Sequence, residues 1–320
     1  MSNPTSAKQT SVSVFEWIDT RHQFLLDTYA ELIVTPDRKH ISRCLYLAHQ
    51  IQDACKVNKD GIISALQLNR TPRYQYVKEL FAAVLCELLG KQCGLTSSKR
   101  LLLICAALTQ DIAMLAEQDS TLDKQTTPLT EGQRKFISKH PAASKKILED
   151  AGVKDAIWLS AVEQHHERMD GSGYPNGLLG EQISQAARIL STADTYVAMI
   201  RPRADRVTKF PRDALKEVFL VRGDQIDVPL ARTLIDTLGI HPPGAWVKLA
   251  NGEIGVVTGA GLDHPFPNVS VVLSEQGEHL DQAQPRDTSI RRNTIVEIVP
   301  APFHFNLGSI LQVIWPQINV

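Results

Sequence analysis

Apolar residues recur at spacings of three and four along the first 240 positions of the chain, and at alternate positions after that. Val14, Trp17, Ile18, Phe24 and Leu25, then Ile41, Leu45, Leu47 and Ile51, carry a helical period from residue 13 to about 65. The polar break Thr35-Pro36-Asp37 divides it into two helices. Tyr74 to Cys93 predicts another helix, with Leu80, Ala83, Val84 and Leu88 on one side and Gly94 as its stop. Ser98 to Leu115 is apolar nearly all round and predicts a buried helix. The polar stretch Asp119 to Thr130, with Pro128, predicts a loop. Helices resume over Glu131 to Asp150 and Val153 to Arg168, and a glycine-rich turn fills Asp170 to Gly177. Further helices cover Ser184 to Met199, Arg212 to Val221 and Pro229 to Leu238. Beyond His241-Pro242-Pro243-Gly244 the period changes: Ala245 to Leu249, Gly255 to Thr258, Val269 to Leu273 and Thr294 to Val299 predict the strands of a small β module.

This pattern gives a mainly α chain in four parts: an N-terminal helical region over 1–68, a larger helical domain over 69–240, the β module over 241–300 and an apolar tail over 301–320. The run Ile310 to Trp315 is apolar enough to dock, on its own domain or, as the alternative, across a dimer. Hydrophobic residues at 43% and charged residues at 22% exclude a disordered chain and a membrane protein. Lys and Arg number 34 against 35 Asp and Glu, so no net field draws in DNA, and any phosphate must be held by a local site. The N-terminus has no basic segment leading into an apolar one, and the longest apolar run, Leu101 to Leu108, is far short of a bilayer span; the expectation is a cytoplasmic protein without membrane insertion. Cys44, Cys55, Cys86, Cys93 and Cys105 form no CxxC pair and read as core thiols.

The chemistry concentrates between His165 and Gly180, HHERMDGSGYPNGLLG, with Ala193-Asp194 on the following helix. Two adjacent histidines at a helix end and an aspartate on the next helix bring three metal-capable side chains together if the helices pack antiparallel. Spacing alone leaves open that the histidines are surface or capping residues.

The string from His165 through Gly173-Tyr174-Pro175 to Met199 resembles the C-terminal half of the HD-GYP domain, a family that hydrolyses cyclic-di-GMP. The resemblance extends over about Arg73 to Arg206, and the β module resembles an extra domain that some members carry. It implies an HD-type helical bundle with an N-terminal helical extension. It also implies a cluster of two metals held by an early histidine, a His-Asp doublet, a histidine before proline, tandem histidines and a late aspartate. Five positions carry over: Asp111, His140, His165, His166 and Asp194. Ligands without thiolates favour iron or manganese over zinc. Gly173, Tyr174 and Pro175 are implied in recognition of a cyclic dinucleotide and in contact with a protein partner.

Where the family has His-Asp-x-Gly-Lys, this chain reads Gln110-Asp111-Ile112-Ala113-Met114. Counting back along the preceding helix, the early histidine falls on Lys78. Asp111, Lys78 and Gln110 are therefore the candidate reaction-centre residues. Two dispositions are open to Lys78: inward among the carboxylates, where its ammonium would stand in for an ion, or snorkelling to the surface. Arg201, Arg203 and Arg206 either contact a dinucleotide or form a solvated basic run, and Arg203 is taken as the candidate contact. The expectation is one ion where the family has two or more, or none. The protein then acts by cyclic-dinucleotide binding or protein contacts, with homodimerisation left open. The alternatives are an active phosphodiesterase with an altered ligand set and a hydrolase of another phosphate ester.

Overall fold

A computed structural model describes residues 11–68, 74–114, 125–201, 209–220, 224–259, 266–302 and 313–319. Strand β1 (Ser11–Val12) leads into helix α1 (Val14–Val34), which Ser13 starts by accepting from Glu16 N. After the predicted break, α2 runs over Arg38–Leu68. Asn58 leaves helical geometry inside α2, and its side-chain oxygen takes the N–H of Gly61 at 3.0 Å, restarting the helix as an internal cap. Then follow α3 (Tyr74–Gln92), α4 (Ser97–Thr109), α5 (Glu131–Asp150), α6 (Ala156–Gln164), α7 (Gln185–Ile200), α8 (Pro211–Leu220) and α9 (Val228–Leu238). Helix α3 is central, with α2, α4 and α7 packed on it, and Leu80, Phe81, Val84 and Leu85 sealed from solvent.

Two helices are shorter than their periodicity predicts. Helix α4 stops at Thr109 instead of Leu115, because the Tyr29 hydroxyl takes the carbonyl of Leu108 that Ile112 N would have met. Residues 110–114 form turns, and Ala113 N donates to Ser144 Oγ at 3.2 Å. Helix α6 starts at Ala156, since the Asp155 carboxylate accepts from Ile157 N and Trp158 N.

Strands β2 (Trp246–Leu249), β3 (Ile254–Gly259), β4 (Asn268–Leu273), β5 (His279–Asp287) and β6 (Ile295–Ile298) form an antiparallel sheet ordered β5-β4-β3-β2-β6. Trp246 and Val256 face the helical core, whereas Val247, Leu249, Val257 and Val271 build a small second core. β5 escapes the sequence reading because its residues are exposed or half-buried, with no apolar alternation. β7 (Ile318–Asn319) pairs with β1, and buried Trp315 packs on Phe15 with ring centroids 6.0 Å apart while its indole N–H donates to Thr258 O at 3.1 Å. The tail over 313–319 thus packs on its own chain; residues 303–312 and 115–124, the latter including 119–124 of the predicted loop, lie outside the described residues. All five cysteines are free thiols. Among the described residues no helix is long and apolar enough to cross a membrane.

Candidate metal centre

Pro141 lies inside α5 and has no N–H to give the carbonyl of Ile137, four residues earlier. His140 fills that gap, its Nδ1 donating to Ile137 O at 2.6 Å. At the end of α6, where the last carbonyls lose their helical partners, His165 Nδ1 donates to Val162 O at 2.7 Å. With Nδ1 committed to a carbonyl, Nε2 is the atom each ring turns toward the cluster. These two Nε2 atoms lie 3.2 Å apart, and Asp111 Oδ1 lies 3.0 Å from His140 Nε2 and 3.5 Å from His165 Nε2. Lone pairs at such distances repel unless a proton or a cation stands among them. His166 completes the group, and one donor atom from each of Asp111, His140, His165 and His166 lies within 4.8 Å of all the others. Burial, helped by His165 and His140, holds the His166 pKa well below its ordinary value, so its ring is neutral and able to ligate. One carboxylate and three imidazoles are donors suited to a divalent metal, and the residues present fit one.

Asp111 Oδ2 accepts from Lys78 Nζ at 2.8 Å, and Asp194 Oδ1 lies at the same distance from that ammonium. Lys78 is 9% exposed, so the snorkelling disposition is not adopted. Gln110 Nε2 donates to Asp194 Oδ1 at 3.0 Å and to Glu79 Oε2 at 2.9 Å. Burial works against the Lys78 charge, but Asp111, Asp194 and Glu79 outweigh it and hold the ammonium pKa well above its ordinary value. Burial opposes the Asp111 charge too, and Lys78 reverses that, holding the carboxyl well below its ordinary range. Asp194 thus meets Lys78 and Gln110 and lies outside the four-residue group.

The Gly173-Tyr174-Pro175 loop folds back over the histidines. Tyr174 N donates to His166 O at 3.2 Å, and the two rings lie 4.8 Å apart by centroid. Two features hold the loop. The buried Glu167 carboxylate accepts from Asn176 N at 2.6 Å and Leu178 N at 3.0 Å. Gly173 lies so close to the preceding backbone that a Cβ there would sit 2.4 Å from Arg168 N and 2.5 Å from Glu167 Cα. A cleft of about 230 Å³ opens beside the cluster, lined by His165, His166, Arg168, Tyr174, Asp194 and Gln225 among others.

Sequence reasoning passed over Glu79 and Glu167. Each had a signal: Glu79 is an acid placed directly before the apolar run Leu80 to Leu85, and Glu167 follows the tandem histidines without a gap. Arg201 neither reaches the cleft nor joins a solvated run; it is buried, donating to Leu66 O at 2.8 Å with its guanidinium 6.0 Å from the Phe81 ring centre. Arg203 and Arg206 lie outside the described residues.

A profile of the HD domain matches residues 60–230. The cyclic di-GMP phosphodiesterase PA4108 of Pseudomonas aeruginosa is 29% identical over 211 residues, 66% of this chain and 50% of that protein. The cyclic di-GMP phosphodiesterase PdeB of Borreliella burgdorferi is 26% identical over 223 residues, 69% of this chain and 58% of that one. The chain thus spans little more than half the length of these relatives. Bd1817, an HDG"Y"P protein of Bdellovibrio bacteriovorus, shares the fold with a TM-score of 0.59 at 18% identity, over 73% of this chain and 74% of that one. With the profile covering more than half of its length, the chain belongs to the HD-domain family.

Proposed function

We propose that this chain is a cyclic-di-GMP-type signalling protein whose site holds a single divalent ion, which hydrolyses poorly, and which acts by binding the nucleotide or by protein contacts through the Gly173-Tyr174-Pro175 loop. The observation that carries this reading is the Lys78 ammonium, 2.8 Å from both Asp111 and Asp194. Asp111, His140, His165 and His166 would hold the ion, whose imidazole and carboxylate donors favour iron or manganese over zinc. When bound, it would supply Lewis-acid polarisation of a phosphoryl oxygen. The chain's own residues limit what else happens. Lys78 already neutralises the two carboxylates that a second ion would need, and the Gln110 amide turns its N–H groups, not its oxygen, toward Asp194 and Glu79. A second ion would help hold the attacking and leaving oxygens of a phosphodiester, and the Lys78 ammonium, tethered between Asp111 and Asp194, offers no coordination site in its place. Met114, buried at the end of the turn after α4, adds no cation for phosphate.

A second reading, an active cyclic-di-GMP phosphodiesterase with an altered ligand set, is favoured by the open cleft beside the four clustered side chains and by the activity named for the two relatives. One experiment separates the two. The protein is purified with iron or manganese in excess, and bound metal, cyclic-di-GMP binding and cyclic-di-GMP cleavage are measured on the same sample, with His166→Ala as control. At most one ion, with binding and little or no turnover, is the expected result. Two or more ions with His166-dependent turnover would establish the enzyme.

A further inference from the structure

At the seam between the helical bundle and the β module lies a second cavity, of about 300 Å³, walled by Gln67 of α2, Phe210 and Pro211 at the start of α8, Trp246 of β2, Ile298 of β6 and Pro300. Its walls are largely apolar. Gln67 is 7% exposed and Trp246 4%, yet among the described residues neither amide atom of Gln67 nor the indole N–H of Trp246 has a hydrogen-bond partner. Buried donors and acceptors in native proteins nearly always have partners. Three unmet polar atoms on two side chains of one cavity mark it as a place for a molecule that brings its own hydrogen-bonding groups. Lys209, at the same cavity, is already paired with Glu217, which among the described lining residues leaves no spare cation to select an anion.

We propose that this cavity binds a purine base. The Gln67 amide carries an acceptor and a donor side by side in one plane, the pattern that meets an adjacent amino group and ring nitrogen, or ring N–H and carbonyl, on a purine edge. A terminal sp3–sp2 torsion is broad, and no hydrogen bond among the described residues holds this one, so the amide suits either edge. The Trp246 N–H supplies a donor for a further ring nitrogen, and Phe210 with the two prolines offers flat apolar faces for the ring. None of these residues belongs to the histidine cluster or its cleft, so this site stands or falls apart from the metal reading.

Titration calorimetry on the full chain tests it, with adenosine and guanosine as probes; both are uncharged and bring no phosphate to the cluster. Saturable one-to-one binding of at least one nucleoside is expected. Gln67→Met keeps the volume and removes both amide atoms, and weakens binding by about tenfold or more. Trp246→Phe keeps an aromatic wall and weakens it severalfold, while His166→Ala leaves it unchanged. Far-ultraviolet circular dichroism confirms that each variant is folded. No saturable binding of either nucleoside would mean that the cavity holds water alone and would overturn the proposal. So would equal affinity in Gln67→Met, or binding that disappears in His166→Ala.

Discussion

The Lys78 ammonium and the Asp194 carboxylate lie 2.8 Å apart and tie α3 to α7 beside the histidine cluster. Both side chains are buried, and the same ammonium also meets Asp111 on the turn after α4. A buried charge trio of this kind stabilises little by its presence, but removing one member leaves the others uncompensated.

Lys78→Ala should therefore lower the unfolding free energy by about 3–5 kcal/mol in metal-free buffer, measured by urea denaturation. Added manganese should recover more of that loss in the variant than it adds to the parent protein, because two carboxylates then face a space without a cation. Equal manganese effects in the two proteins would show that the ammonium does not occupy an ion position.

His165→Ala removes one of two Nε2 atoms that are aimed by backbone carbonyls. An ion bound only by the folded protein adds about 2.7 kcal/mol at a hundredfold excess over Kd. Thermal unfolding of the parent should accordingly shift upward with iron or manganese and fall back with a chelator, whereas the variant should show neither shift.

Glu167→Ala takes away the acceptor of two charge-assisted hydrogen bonds, at a cost of about 1.5–3 kcal/mol for each bond held in the folded state. Hydrogen exchange should accelerate at Asn176 and Leu178 well before it does in α3. If those amides stay as protected as in the parent, the loop is held by something other than this carboxylate.

Gly173→Ala puts a methyl group against the backbone of Glu167 and Arg168, which cannot give way as a flexible side chain would. The loop must then lift from His166, and cyclic-di-GMP binding should weaken while α-helical content by circular dichroism stays that of the parent.

In the β module, hydrogen bonds from Arg286 hold the Glu253 carboxyl below its ordinary value, and Glu253 itself is largely buried. A carboxyl depressed in the folded state binds more protons when unfolded. Its contribution is therefore complete above the ordinary carboxylate pKa of about 4.3 and lost as pH falls through the lower folded value. Calorimetric unfolding of the parent should lose midpoint temperature more steeply below about pH 4.3 than Glu253→Gln does. Parallel curves would remove this pair from the acid response.

Much of this architecture is written in local sequence. The three-and-four spacing of Val14, Trp17, Ile18 and Leu25 and the apolar run around Phe81 report which side of a helix is buried, and that is a property of neighbours along the chain. Asp111, His140, His165 and His166 were legible through the resemblance of their motifs to a known family, and for His140 and His165 local backbone then aims the rings, through carbonyls three residues away. Other outcomes depended on packing between distant segments. Whether Lys78 turned inward or to solvent was settled by α3 meeting the α4 turn and α7, where two carboxylates outweigh the cost of burying an ammonium. Arg201 was drawn under the bundle by the carbonyl of Leu66 on α2, and β5 and the β1–β7 pair exist through cross-strand hydrogen bonds that leave no apolar period to read. Periodicity records burial, and only the assembled helices and sheet decide which buried charges and backbone groups become partners.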